Sequence, residues 1–317
     1  MCKRNPYLRR LGPTKSYLMN PDNKIPRREF VKTAAIASAA GIILGSPLPG
    51  YAAQKSWTVG QIMDLFIKET TDTPMSQTVD TLKAGNRDIV VKGIVTAMFA
   101  TIPVIKQSIS LGANFIIAHE PTFYNHLDRT DWLENDATYK FKRKLLDDNG
   151  IAVWRNHDYI HSHSPDGVYD GVLKQLDWTK YAQPSSPWNI QLPSTTVGDV
   201  IKTVKTKLGI KSLRYVGDDK QACSKVLLMP GAAGGERQIK AISEMNPDLA
   251  IVGELQEWET AEYVRDARAA GKKISLIVLG HIDSEDGGSE YMKSWLIKNV
   301  PGIKVSHLNS VNPFSYS

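Results

Sequence analysis

The sequence predicts an α/β protein built from two βαβ-type halves, each with a mainly parallel sheet covered by helices. Two observations lead there. Short runs rich in Ile and Val alternate with stretches of helical apolar spacing from about residue 58 onwards. Several strand-type runs also stop abruptly on His, Glu or Gly, and the carboxyl edge of an open α/β sheet is where ligands sit. With 317 residues, 42% hydrophobic and 23% charged, the chain can bury a sizeable core in one large or two modest domains.

Taken in order, Val59, Ile62, Met63, Leu65 and Phe66 repeat at helical spacing across 58–69, and Asp72-Thr73-Pro74 ends that helix. Residues 88–97 read as a strand, 103–111 as a helix closed by Gly112, and 114–118 as the next strand, which completes a βαβ unit. A helix over 134–148 places Phe141, Leu145 and Leu146 on one side and stops at Asn149-Gly150. A strand at 151–154 and a helix at 166–176 follow. The stretch 178–195, with Ser and Pro in succession at 184–187, reads as a crossover, so the halves are expected at 54–183 and 184–317. The second half reads as a helix over 197–208, a strand 225–229, a Gly-rich turn 230–235 and a helix from Glu236. It continues with a strand 248–252, a helix 258–270, a strand 273–279 and a helix 289–298.

The net charge of +6 does not mark a nucleic-acid partner. Residues 1–53 hold nine Lys or Arg against Asp22 and Glu29, which is +7 and leaves the remainder near −1. That first segment has the layout of an export signal: Arg27-Arg28 before an uncharged stretch, then small residues at Ala52-Ala53. It resembles a twin-arginine signal, so the mature protein is expected in the periplasm or outside the cytoplasmic membrane. The apolar stretch is shorter than the roughly 20 residues of a membrane span, so no stable span is expected after cleavage. Cys2 would leave with the signal, and Cys223 alone cannot form an internal disulfide.

Chemistry concentrates at three strand exits. The run NFIIAHEP (114–121) ends in His119 and Glu120, the run AVWRNH leads into NHDYIHSH (156–163), and LG leads into HIDSE (281–285). Each has an ordinary structural use as a strand end or helix cap. Imidazoles and carboxylates gathered at three strand ends suit zinc, manganese or iron rather than calcium, and His281 and Glu285, four apart, face one way if helical. A metal site between the halves at the strand carboxyl ends is the expectation. The turn MPGAAGGE (229–236) has neither the P-loop Lys-Ser/Thr nor the G-x-G-x-x-G spacing, and reads as a tight turn.

In order and spacing, NFIIAHEPTFY, the His-rich exit after AVWRNH, the PGAAGG turn, AIVGELQEWE and LGHIDSE resemble the Nif-three-like family of dinuclear metal-centre proteins, also known as GTP cyclohydrolase I type 2-like. The resemblance runs from about Trp57 to Phe314. It implies two divalent metal ions, zinc, iron or manganese, held by His119, Glu120, His161, His281 and Glu285. Glu120 stands where the family has a histidine, and His161 where it has a liganding aspartate, with His157, Asp158 and His163 as substitutes for His161. Glu254 follows Gly253 as the family's acid does, and is the candidate catalytic residue to move a proton, with a structural role as its alternative. Trp258 replaces a family histidine. The resemblance further implies a closed homohexamer and a metal-dependent hydrolase of a small polar or nucleotide-like molecule. A non-catalytic metal-binding ring for storage, delivery or scaffolding is the alternative. Mass spectrometry of the native protein should find a start near Ala53, and an intact Met1 would contradict export with cleavage.

Overall fold

The computed structural model describes residues 56–71 and 74–315. The segment expected to be an export signal, with its Cys2, and the Asp72-Thr73 pair expected to end the first helix lie outside the described residues. The described chain opens with α1 (Val59–Ile67), capped reciprocally: Thr58 Oγ1 accepts from Gln61 N, and the Gln61 side chain accepts from Thr58 N. Strands β1 (Leu82–Ala84) and β2 (Gly93–Ala97), helix α2 (Ile102–Ser110), β3 (Phe115–Ala118), α3 (Ala137–Asp148) and β4 (Ala152–Arg155) follow. Next come the single turn α4 (Asp158–His161) and α5 (Gly167–Gln175).

The chain continues through β5 (Ala182–Gln183), β6 (Ser186–Thr196), α6 (Val197–Leu208), β7 (Arg214–Val216) and β8 (Ala222–Met229). It then runs through α7 (Gly235–Met245), β9 (Leu249–Val252), α8 (Glu262–Ala269), β10 (Ser275–Val278), α9 (His281–Asn299) and β11 (Lys304–His307).

Two mixed sheets result, ordered β1-β4-β3-β2-β11 and β5-β6-β8-β9-β10-β7. The inner strands of each run parallel, in the pairs β2/β3, β3/β4, β8/β9 and β9/β10, and β2, β3, β4, β9 and β10 are buried at every residue. That burial on both faces is why they read as continuous apolar runs rather than alternating ones. The α/β class with parallel inner strands is as the sequence predicts. β11 pairs with β2, so the first sheet draws on both ends of the described chain.

Three elements differ from expectation. The 178–195 stretch is not a crossover loop but a hairpin: β5 turns at Pro184-Ser185 into β6, which lies antiparallel on β8. Its prolines signalled a loop, yet Pro184 occupies the turn and Pro193 falls at a register shift, where no ladder N–H is needed. The last helix begins at His281 rather than Ser289. Gly287 and Gly288 lie inside it, although each glycine in a helix costs about 1 kcal/mol against alanine. Here they are where α5 meets α9: a Cβ on Gly171 would lie 2.1 Å from the Gly287 carbonyl oxygen. The strand expected over 88–97 keeps only 93–97, since Arg87 and Ile89 carbonyls instead receive the first N–H groups of α1.

Four buried apolar clusters fill the layers, and the buried Cys223 lies in the one beneath α6 with Val197, Val200 and Val204. Among the described residues no helix is long and apolar enough to cross a membrane. The α5–α9 contact gives a direct test of packing. Gly171→Ala should lower unfolding stability by about 1–3 kcal/mol, the usual cost of overpacking, while Thr206→Ala on the exposed face of α6 should change it by less than about 0.5 kcal/mol. Equal denaturation midpoints for the two variants would contradict the close crossing.

Candidate metal centre

The centre is assembled from the carboxyl ends of strands in both sheets. Beyond β3 the ladder continues for two residues, with His119 N donating to Ala97 O at 3.1 Å and Glu120 N to Met98 O at 2.8 Å. That holds both side chains rigidly in the interior, only 4% and 7% exposed. The His119 Nδ1 lies 3.2 Å from the Asn156 carbonyl, which can only accept, so the proton sits on Nδ1 and Nε2 presents a lone pair. That Nε2 is buried and makes no hydrogen bond; its near neighbour is Glu285 Oε2 at 3.5 Å. A buried lone pair left without a donor is the kind of group that a cation satisfies.

β4 ends on Arg155, a fully buried guanidinium. It donates to the His119 carbonyl at 3.3 Å and to that of His126, and pairs with Glu120 Oε2 at 3.2 Å and Asp128 at 3.5 Å. Glu120 is thereby aimed, with its other oxygen 3.2 Å from His281 Nε2 and 3.7 Å from His157 Nε2. Just past β4, the buried Asp80 accepts from the backbone N–H of His157 and of Tyr159, each at 2.8 Å, and fixes the entry to α4. His161, at the end of α4, turns its Nδ1 to Asp166 at 2.9 Å.

The second sheet supplies the opposite wall. Gly280, at φ +100°, turns the chain from β10 into α9, and His281 and Glu285 lie one helical turn apart with Nε2 and Oε2 separated by 3.0 Å. Behind His281, Glu254 Oε2 is 3.3 Å from its Nδ1. The turn after β8 serves the same place: Gly231, at φ +68°, accepts the Glu285 carboxylate so closely that a Cβ there would sit 2.1 Å from Oε1. The Gly-rich turn is therefore a tight turn with a steric purpose.

Charge in this cluster is strongly coupled. Burial lowers the His281 pKa, but the hydrogen bonds it donates to Glu120, Glu254 and Glu285 outweigh that and push it up to about 12. Burial raises Glu285 and lowers His119, but their mutual pairing, with His281 and Glu120, outweighs it: Glu285 is held well below the usual carboxylate range and His119 is raised, so a cation at His119 Nε2 would take the place of a proton there. Burial, reinforced by the neighbouring His119, pushes His157 down to about 4. The carboxylates demand positive charge, while His157 stays neutral with a lone pair to give.

All five residues expected as metal ligands surround this point. Two overlapping groups, His119/Glu120/Glu285 and His119/His157/His161, each bring donor atoms within 4.8 Å of one another. Separations of 3.0 to 3.5 Å between His281, Glu285 and His119 match the roughly 3.4 Å edge of a tetrahedron with 2.0–2.1 Å bonds. Asp158 is engaged by Thr78, Val79 and His157, and His163 is held by Tyr291 and stacks on Phe66, and neither belongs to these two groups. Trp154 and Tyr159 belong to the core, and Trp258 is 73% exposed. The centre opens on a cavity of about 750 Å³ lined by His157, His161, Tyr169, Trp188, Arg237 and Glu285, among others.

Residues 61–313 match the family model of Duf34/NIF3 (NGG1p interacting factor 3). The chain belongs to the Duf34/NIF3 family. It is similar to proteins named GTP cyclohydrolase 1 type 2 homolog from Clostridium perfringens, at 25% identity over 64% of this chain and 77% of that one, and from Escherichia coli, at 22% over 70% and 86%. Among solved structures it resembles a Staphylococcus aureus hypothetical protein (TM-score 0.67, 19% identity, 83% of this chain and 100% of that one). A Bacillus cereus protein related to NIF3 is similar at TM-score 0.65 and 16% identity, over 83% and 100%. At these identities the likeness shows the NIF3 fold.

Within this NIF3 chain, sequence reasoning missed Arg155 and Asp80, and kept His157 only as a substitute for His161. Arg155 left a signal, a charge inside an otherwise apolar strand run, whereas Asp80 lies in a polar loop that carries none. Gly231→Ala should leave the fold intact and weaken zinc binding by about 10–100-fold, the usual cost of displacing a group that orients a ligand. Calorimetric titration would show it, and unchanged affinity would mean that Glu285 does not take part.

Proposed function

We propose that this NIF3-family chain is a dinuclear divalent-metal protein and acts as a hydrolase on a small polar or nucleotide-like molecule, at a C–N or P–O bond. The observation that carries the reading is the buried, unpartnered Nε2 of His119 facing the buried carboxylates of Glu120 and Glu285. His119, Glu120, His161, His281 and Glu285 would hold the ions, with Glu285 placed to serve both groups. When bound, divalent ions polarise a scissile carbonyl or phosphoryl oxygen and lower the pKa of a nearby water towards neutrality.

The chain's own residues set the rest. Arg155 neutralises one oxygen of Glu120 and leaves the other directed at the centre. Glu254, in contact with His281 Nδ1, is a positioning residue: by accepting from Nδ1–H it orients the ring so that Nε2 faces Glu120 and Glu285. Tyr169 and Trp188, whose rings lie 6.2 Å apart on the cavity wall, offer apolar faces to a planar group, and Arg237 and Lys240 offer positive charge to an anionic one. The names carried by the Clostridium perfringens and Escherichia coli relatives make nucleotides the first molecules to assay. One feature favours the second reading, a metal-holding protein without turnover: each carboxylate that faces the centre already contacts a histidine.

The test is metal-loaded protein assayed against phosphoesters, cyclic amides and nucleotides. Glu285→Ala and His281→Ala should each lose metal and all turnover with an unchanged circular dichroism spectrum. Glu254→Gln, whose amide oxygen can still accept from His281, should keep metal and lower turnover. Full metal content with no turnover on any of these classes would favour the second reading.

A further inference from the structure

His157 and His161 are held alike. His157 Nδ1 lies 2.9 Å from Asp158 Oδ1, and His161 Nδ1 lies 2.9 Å from Asp166 Oδ2. Both carboxylates are themselves fixed: Asp158 accepts from the Thr78 hydroxyl at 2.7 Å and Val79 N at 3.0 Å, and Asp166 caps α5 through Val168 N at 2.9 Å and Tyr169 N at 3.1 Å. An imidazole whose Nδ1–H is spent on a carboxylate presents its Nε2 lone pair, and this carboxylate–histidine pairing is the common outer support of metal-binding histidines. Asp80 pins the His157 backbone as well, so this ring is preset.

Ring geometry divides the histidines between two positions. An ion bound by an imidazole lies near the plane of that ring. The His119 and His157 planes differ by only 20° with centroids 4.8 Å apart, so they meet only far from the rings and cannot both serve one ion. The His161 plane crosses that of His157 at 70° with centroids 5.1 Å apart and that of His119 at 67° and 5.2 Å, so His161 can share an ion with either ring, and the Glu285 and His281 atoms beside His119 leave His161 to His157. His119 has one free lone pair, and its Nε2 is 3.5 Å from Glu285 Oε2, which is 3.0 Å from His281 Nε2.

We propose that His157 is a metal ligand in this chain, pairing with His161 at the cavity side of the centre while His119 and His281 serve the second ion. This rests on the dinuclear reading above. The position at His157 and His161 is rich in nitrogen, with Glu285 on the same cavity wall, and should prefer zinc, cobalt, nickel or copper to magnesium or manganese. The position at His119 and His281 includes Glu120 and Glu285 and is the more oxygen-rich. The two ions are therefore bound unequally.

The experiment is elemental analysis of the full chain after zinc or cobalt(II) loading and gel filtration, with the cobalt absorption spectrum as a second readout. Wild type should hold two ions per chain, and His157→Ala should hold one, with affinity for the other reduced more than 100-fold and part of the cobalt spectrum lost. His157→Ala with two ions and an unchanged spectrum overturns the proposal. If Glu285→Ala then loses metal, the dinuclear reading still stands; wild type that retains no metal overturns that reading and the proposal together. Should His157→Ala fail to fold, the nitrogen resonances of ¹⁵N-histidine-labelled wild type decide it: His157 Nε2 should shift on zinc binding, and an unmoved resonance overturns the proposal.

Discussion

A carboxylate withdrawn from water must be met by positive charge, and Glu285 is withdrawn to 5% exposure. Its neighbours come from both sheets: His119 from the exit of β3, Gly231 from the exit of β8, and His281 one turn back on its own helix. A single pair at about 3 Å gains roughly 5 kcal/mol of gross attraction at an effective dielectric constant near 20. Removing each ion from water costs several kcal/mol in return, so the cluster contributes little net stability. Its arrangement is better explained by what it binds than by what it holds together, and variants in it should spare the fold.

Delivering Glu285 to this point constrains backbone far from it. α9 must begin directly at the end of β10, which Gly280 permits, and must pass α5 at backbone contact, which Gly171 and Gly287 permit. β11 then continues the first sheet, so the helix carrying His281 and Glu285 is tied to both sheets by the strands on either side of it. Arg155 plays the matching part on the other wall. It is a buried cation that aims Glu120 and binds the carbonyls of His119 and His126, and removing it would leave Glu120 and Asp128 buried with only His281 and Lys83 as cationic partners, at a cost of about 3–5 kcal/mol.

Much of this was legible in the sequence, and the reason is physical. Fully buried parallel strands must be apolar along their length, so β3, β4, β9 and β10 announced themselves, and polar residues just beyond them marked the edge where ligands gather. His119, Glu120, His281 and Glu285 could be read from their own strand exits, and His161 from family resemblance. What could not be read depended on partners distant in sequence. Asp80 meets His157 across 77 residues, and Glu254 lies behind His281 because two strands are adjacent. The prolines of the β5–β6 hairpin misled because local propensity was overridden by a turn and a register shift, and the first turns of α9 hold a glycine pair that only the helix crossing explains.

The central claim is that His119 Nε2 and the carboxylates around it bind a divalent pair. Anomalous diffraction at the zinc edge, from crystals of the full chain grown with zinc, tests it most directly. The account predicts two peaks about 3.5–4 Å apart, one of them within about 2.1 Å of His119 Nε2. Zinc peaks confined to surface residues, with none in bonding reach of His119 or Glu285, would contradict it.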